Sequence, residues 1–163
     1  MKLEAVFHRP MSEYCHGLDE KHIVYRLRCA RDDLSAVTLA YGDTACRQTP
    51  ILFTPVPMEK IASDALFDYW QVIVESPYER VYYYFELFDG EQILLYYGDV
   101  FTDRHVDDRS QYFKLPFNHR ADLAGVPDWV HDAVVYNIFP DSFATGKKFI
   151  SMQPTQQEYG GQT

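Results

Sequence analysis

Cysteine is scarce and scattered. Cys15, Cys29 and Cys46 form an odd set, with neither the spacing of a metal-ligand cluster nor that of a disulfide framework, so reduced thiols are expected. No CxxC pair and no glycine-rich phosphate loop occurs, which leaves thiol exchange and phosphate cradling without a motif. There is no run of 18 apolar residues, and the opening Met1–His8 has no long apolar h-region. Neither a membrane-spanning helix nor a secretory signal is therefore read, and a cytoplasmic location is expected. Positive charge is also short: 15 Lys and Arg stand against 24 Asp and Glu, a net charge of −9 with a pI near 5.0. That balance argues against nucleic acid and anionic membranes as partners and is compatible with a neutral one. The six histidines lack metal-site spacing, no internal repeat is present, and no helical periodicity precedes residue 120.

What the chain does have is aromatic residues, 13 Tyr, 11 Phe and 2 Trp, set in short alternating segments. His22 to Cys29 places Ile23, Tyr25, Leu27 and Cys29 on one face and Arg26 and Arg28 on the other, the pattern of a half-buried strand. Ala36 to Tyr41 repeats it and stops at Gly42-Asp43. Ile51 to Phe53 starts another strand that Pro55 and Pro57 confine to an edge. Asp68 to Val74 follows, with Trp70, Val72 and Val74 on the side expected to be buried. Arg80 to Phe88 and Gln92 to Tyr97 flank Asp89-Gly90, which suits a two-residue hairpin turn with positive φ. Phe101 to Gln111 is polar and reads as a solvated loop before a last strand at Tyr112 to Leu115. About seven strands without helices predict an all-β fold, an immunoglobulin-like antiparallel β-sandwich over residues 1–120.

Residues 121–163 read differently. Ala133-Val134-Val135-Tyr136 to Ile138-Phe139, closed by Pro140, has the near-continuous apolarity of a strand buried on both faces of a parallel sheet. Too few residues follow for a βαβ unit, so the chain is expected to break off just after a second domain begins.

Pro127-Asp128-Trp129-Val130, Asp132-Ala133-Val134-Val135-Tyr136, Ile138-Phe139-Pro140-Asp141 and Phe143-Ala144 together resemble the first barrel strand of a known family. It is the cyclomaltodextrinase, neopullulanase and maltogenic amylase group of the α-amylase superfamily. Upstream, Glu4-Ala5, His8-Arg9-Pro10, Ser63-Asp64, Phe67-Asp68-Tyr69-Trp70, Pro77-Tyr78, Phe117 and His119-Arg120 are similar to landmarks of that group's N-terminal domain.

The resemblance implies a starch-binding-module-like sandwich over 1–120, then a linker and the truncated start of a catalytic (β/α)8 barrel over 121–163. The partners it implies are α-glucans or cyclodextrins, the chain's own barrel domain, and a second subunit of a homodimer whose cleft the sandwich narrows. Retaining glycosidases need two carboxylates about 5 Å apart. The family carries them on later strands, so no catalytic residue is expected here and Asp141 is read as structural. Thr145, Lys147, Ile150, Ser151 and Gln162 stand where relatives offer calcium ligands, so neither calcium nor any cofactor is expected. His119-Arg120 matches the junction that would seat one domain on the next.

Flat aromatic faces suit sugar rings, so the aromatics divide between core and platform. Val81, Tyr83, Phe85 and Leu87 share an uncharged face and are read as core. Tyr82 and Tyr84 share the face of Glu86 and are expected to form an exposed carbohydrate-binding platform, with Tyr69 beside Gln71 as a further candidate. Trp70 is expected to be buried and Trp129 to pack the linker. Tyr41, at a strand end beside Gly42-Asp43, matches a family aromatic that reaches the partner's substrate cleft. The family's second aromatic, four residues on, is Ala45 here. Tyr41 equally fits as the end of the buried face begun by Val37 and Leu39. A free-standing carbohydrate-binding module and a purely structural interaction domain remain open as alternatives.

Overall fold

The alternating segments become the long strands of two antiparallel sheets. The computed structural model describes residues 1–98, 100–123, 127–130 and 132–137, and the chain divides into two units, Met1–Gly125 and Val126–Thr163.

In the first unit the described residues form β1 (Cys15–Gly17), β2 (His22–Ala30), β3 (Ala36–Asp43), β4 (Thr54–Pro57), β5 (Glu59–Ser63), β6 (Phe67–Glu75), β7 (Val81–Phe88), β8 (Ile93–Tyr97), β9 (Val100–Thr102) and β10 (Phe113–Leu115). One sheet runs β1-β2-β6-β5. The other runs β4-β3-β7-β8-β9, with β10 paired to the start of β7. Three of these strands carry no readable alternation: β1 and β9 are three residues long, and all five residues of β5 are exposed. β9 overlaps the start of the stretch expected to be a solvated loop.

The inward parity is as the sequence implies. Ile23, Tyr25, Leu27 and Cys29 of β2 face Val81, Tyr83, Phe85 and Leu87 of β7 across the sandwich, all fully buried, with Trp70, Leu39 and Phe113 in the same core. Burial pushes the Cys15 thiol up to about 12 and the Cys29 thiol up to about 11, so both stay protonated and unreactive. His8 plugs the same interior. Its Nδ1 lies 2.6 Å from the Arg26 carbonyl oxygen and its Nε2 2.9 Å from the Tyr83 hydroxyl. A carbonyl only accepts, so Nδ1 carries the proton and Nε2 accepts from Tyr83. Burial lowers this histidine to about 4, outweighing the Arg26 hydrogen bond, and it is neutral at pH 7.

Turn chemistry sets the connections. After the last β7–β8 pair, Phe88 with Ile93, the loop is four residues rather than the expected two, because Asp89 Oδ1 accepts the Glu91 and Gln92 N–H groups at 3.0 and 2.9 Å. Gly90 in that loop has φ +105°. Asp64 does the same between β5 and β6, accepting the Leu66 and Phe67 N–H groups at 2.7 Å each. The fully buried Asp68 is met by Lys60 Nζ and Ser63 Oγ at 2.6 Å each and by the Asp32 N–H at 2.9 Å. Burial would raise its carboxyl, but these three donors hold it below the ordinary value. The Ser63-Asp64 and Phe67-Asp68 landmarks are thus turn and core chemistry.

One edge of each sheet is protected. Pro55 and Pro57 lie in edge strand β4, opposite Ala40 and Thr38, and edge strand β5 is broken by a register shift between Lys60 and Ala62.

In the second unit Asp128–Val130 forms a single 3₁₀ turn. The expected strand over Ala133–Phe139 is described as far as Asn137 and has no strand pairing there; Val134, Val135 and Tyr136 are 96%, 82% and 74% exposed. A doubly buried strand exists only through neighbours on both sides, and none occurs among the described residues. Trp129 is 69% exposed, so it does not pack the linker as expected. Ile138, Phe139, Asp141 and the positions compared with calcium ligands lie outside the described residues.

Candidate functional site

The four tyrosines singled out in the sequence fall in three separate places. Tyr41 lies in the buried run of β3 and is 8% exposed, within the interior core. Its ring lies 6.4 Å from that of Tyr78, centroid to centroid. Ala45 offers no second aromatic, but Tyr78, from the segment between β6 and β7, does. The Pro77-Tyr78 landmark was the available signal, though nothing in the one-dimensional sequence joined it to Tyr41.

Tyr78 is half-buried and rims two shallow depressions. One, of about 410 Å³, is lined by Asp43, Ala45, Pro77, Glu79 and Arg80; the other, of about 510 Å³, by Glu20, Lys21, Glu75 and Ser76. The Ser76 hydroxyl fixes the bend by accepting the Tyr78 N–H at 3.1 Å. Arg80 lies 4.5 Å over the ring of Phe117, which stacks on His119, and His119 Nε2 sits 3.5 Å from Glu79 Oε2. The adjacent Asn118 is nearly fully buried and donates to the Asp19 carbonyl at 2.8 Å. It abuts Gly17, where a Cβ would come 1.9 Å from Asn118 Oδ1. Asn118 therefore ties this end of the sandwich together, and His119 lies exposed beside it. Aromatic faces beside carboxylates and a guanidinium are groups that can stack on and hydrogen-bond a polyhydroxylated ligand.

Tyr82 and Tyr84 do not form an exposed platform. They are 9% and 6% exposed, because residues 103–112 and the Ile51–Phe53 segment cover the outer face of the β3-β7-β8 sheet. Tyr84 stacks on Tyr97 at 4.7 Å and meets Phe53 at 5.0 Å; Tyr82 meets Tyr112 at 5.7 Å. Burial pushes the Tyr84 hydroxyl up to about 12, assisted by Glu86. The cover is pinned by Arg109, whose Nη1 and Nη2 donate to the Cys46 and Gln48 carbonyls at 2.7 and 2.8 Å. The Tyr112 hydroxyl donates to the Val106 carbonyl, and Tyr97 Oη lies 2.9 Å from His105 Nδ1.

Tyr69 is half-buried on the outer face of the β1-β2-β6-β5 sheet, directly across from Arg28. Its hydroxyl donates to Asp64 Oδ2 at 2.7 Å. Among the described residues, no group of three or more His, Cys, Asp or Glu could hold a metal ion, and no helix is long and apolar enough to cross a membrane.

Two antiparallel sheets closed over one core define an immunoglobulin-like β-sandwich. Residues 1–119 match the family described as the alpha amylase N-terminal Ig-like domain, and the chain belongs to that family. It is 39% identical over 153 residues to a cyclomaltodextrinase of Geobacillus thermopakistaniensis, covering 93% of this chain and 26% of that protein. It is 37% identical over 147 residues to a maltogenic alpha-amylase of Bacillus acidopullulyticus, covering 89% of this chain and 25% of that protein. A solved cyclomaltodextrinase structure matches with a TM-score of 0.73 at 34% identity, over 83% of this chain and 23% of that one. The chain thus spans about a quarter of the length of the curated relatives it matches.

Proposed function

We propose that this chain is the N-terminal domain of an α-glucan hydrolase of the cyclomaltodextrinase, neopullulanase and maltogenic amylase type. Residues 1–120 form the sandwich, and 121–163 lead into a catalytic (β/α)8 barrel that carries the reacting carboxylates. The family match over residues 1–119 carries this reading. The domain serves the enzyme, which works as a homodimer in the cytoplasm, by narrowing a subunit's substrate cleft and contacting α-glucan or cyclodextrin.

The contact is assigned to the end of the sandwich at Tyr78. Tyr41 supports its ring from the core, while Asp43, Glu79 and Arg80 supply hydrogen-bonding groups around the depression. Tyr78, rather than the buried Tyr41, is the ring to test.

The 163-residue chain should release no reducing sugar from β-cyclodextrin, pullulan or starch, since a retaining site needs paired carboxylates. In the complete enzyme, Tyr78→Ala should raise KM for β-cyclodextrin several-fold at unchanged kcat, with a modest fall in melting temperature because the half-buried ring also packs against the core. A stacking contact contributes on the order of 1 kcal/mol, and lost uniform binding appears in KM. Hydrolysis by the isolated chain that survives re-purification, or an unchanged KM in the variant, would count against the assignment.

A further inference from the structure

The outer face of the β1-β2-β6-β5 sheet is an ordered array of aromatic and hydrogen-bonding groups with no segment laid over it among the described residues. Phe7, Arg28 and Tyr69 form one cross-strand row: Phe7 and Arg28 exchange backbone hydrogen bonds of 2.8 and 3.0 Å, and Arg28 pairs with Tyr69. Tyr14, Arg26 and Gln71 form the next, with the Arg26 N–H donating to the Tyr14 carbonyl at 2.7 Å and Arg26 pairing with Gln71. Phe7 and Tyr14 meet edge to face at 5.0 Å.

The polar groups of this array are held but not used up. The Arg28 guanidinium lies 4.2 Å from the ring centre of Phe67 and 5.1 Å from that of Phe7, and its buried Nε has no hydrogen-bond partner. Gln71 Oε1 accepts from Arg26 Nε at 2.7 Å, while its Nε2 donates to no group among the described residues. The Arg28 Nε is sealed between the rings, whereas the Gln71 amide donor is open to solvent and is the group that an acceptor-rich ligand can reach.

We infer that this face is a second saccharide surface, which takes a short stretch of neutral α-glucan across the two rows. The inference rests on the glucan reading above but uses different residues from the Tyr78 end. Tyr14, Tyr69 and Phe7 offer ring faces, while Arg28 and Gln71 donate to sugar oxygens. The two strand spacings from Phe7 to Tyr69 span roughly 10 Å, the length of a short oligosaccharide. Charge selects the ligand: Glu13, Glu59, Asp64 and Glu75 are exposed around the arginines and repel a polyanion, yet accept from hydroxyl groups.

The test is a titration of the 163-residue chain with maltoheptaose, followed by backbone amide shifts, beside the same titration with polyglutamate. Saturable maltoheptaose shifts at Tyr14, Arg26, Arg28, Tyr69 and Gln71 are expected. Tyr69→Ala and Gln71→Ala, both half-exposed positions, should each weaken that binding about fivefold or more with only a modest loss of stability, so that both stay folded at the titration temperature, while Tyr78→Ala leaves the binding alone. Shifts confined to Tyr78 and its neighbours would overturn this surface and leave the proposed function standing. Absence of any shift would also overturn it, whether or not the complete enzyme hydrolyses cyclodextrin. Tighter binding of polyglutamate, or a dimer of the chain that Arg28→Ala dissociates, would reassign the face to a protein partner.

Discussion

The two outer faces of this sandwich have similar raw material and opposite fates. On the β3-β7-β8 side, Tyr82, Tyr84 and Tyr97 are roofed by residues 103–112 and by Ile51 and Phe53, forming a second small core. On the β2-β6 side, Tyr69, Arg26, Arg28 and Gln71 stay half-exposed, with no covering segment among the described residues. Strand parity treats the two faces alike; loops decide between them. A ring under a roof contributes stability, and only a ring without one is free to meet a ligand.

The largest expected effect tests that difference directly. Tyr84→Ala removes a ring packed on Tyr97 and Phe53 and should destabilise by roughly 3–5 kcal/mol, as for other large-to-small core changes. Tyr69→Ala should cost about 1 kcal/mol or less, being at a partly solvated site. Chemical denaturation of the two variants measures both. Similar losses would erase the distinction between roofed and bare faces.

The same contrast explains what was legible in the sequence. Period-two alternation located β2, β3, β6 and β7 and told the inward side from the outward one, because fully buried residues such as Leu27 and Phe85 alternate with Arg26 and Glu86. It could not show that a polar segment would fold back over the outward tyrosines. What holds that roof is two carbonyls accepting from Arg109 and one from Tyr112, and backbone acceptors leave no trace in residue type. The Tyr41–Tyr78 pair was hidden for a similar reason, since its members are 37 positions apart and on different segments. Strand β5, exposed at every residue, had no burial pattern to read.

A second prediction separates both outer faces from the interior beneath them. His8, hydrogen-bonded under Arg26, titrates at about 4 when folded against 6.5 ordinarily. Between those values the unfolded chain takes up a proton that the folded chain refuses, so stability falls as pH drops from 6.5 towards 4 and is fully present above 6.5. That gap is worth roughly 3 kcal/mol at most. The carboxylates held low by hydrogen bonds, Asp64 and Asp68 among them, add their own losses below about 4. Urea denaturation at half-unit steps from pH 7 to pH 4 should show the decline. His8→Gln, although less stable at pH 7, should show a flatter profile over that window. An unchanged slope in the variant would assign the decline to other groups.

The smallest effect compares one hydroxyl on each face. Tyr112→Phe deletes the donor to the Val106 carbonyl and with it one tie of the roof. Tyr69→Phe deletes the donor to Asp64 Oδ2, but Asp64 keeps its bonds from the Leu66 and Phe67 N–H groups and water replaces the lost partner. A hydrogen bond contributes about 1 kcal/mol net where the partner left behind is shielded, and close to nothing where water replaces it. Tyr112→Phe should therefore lower stability by about 1 kcal/mol and Tyr69→Phe by an amount near zero. Amide exchange sharpens the comparison, because losing a roof tie should raise local opening at Arg104 to Ser110 while β7 keeps its protection. If Tyr112→Phe leaves both stability and exchange unchanged, the roof is held by Arg109 and ring packing alone, and the hydroxyl ties contribute nothing to the difference between the faces.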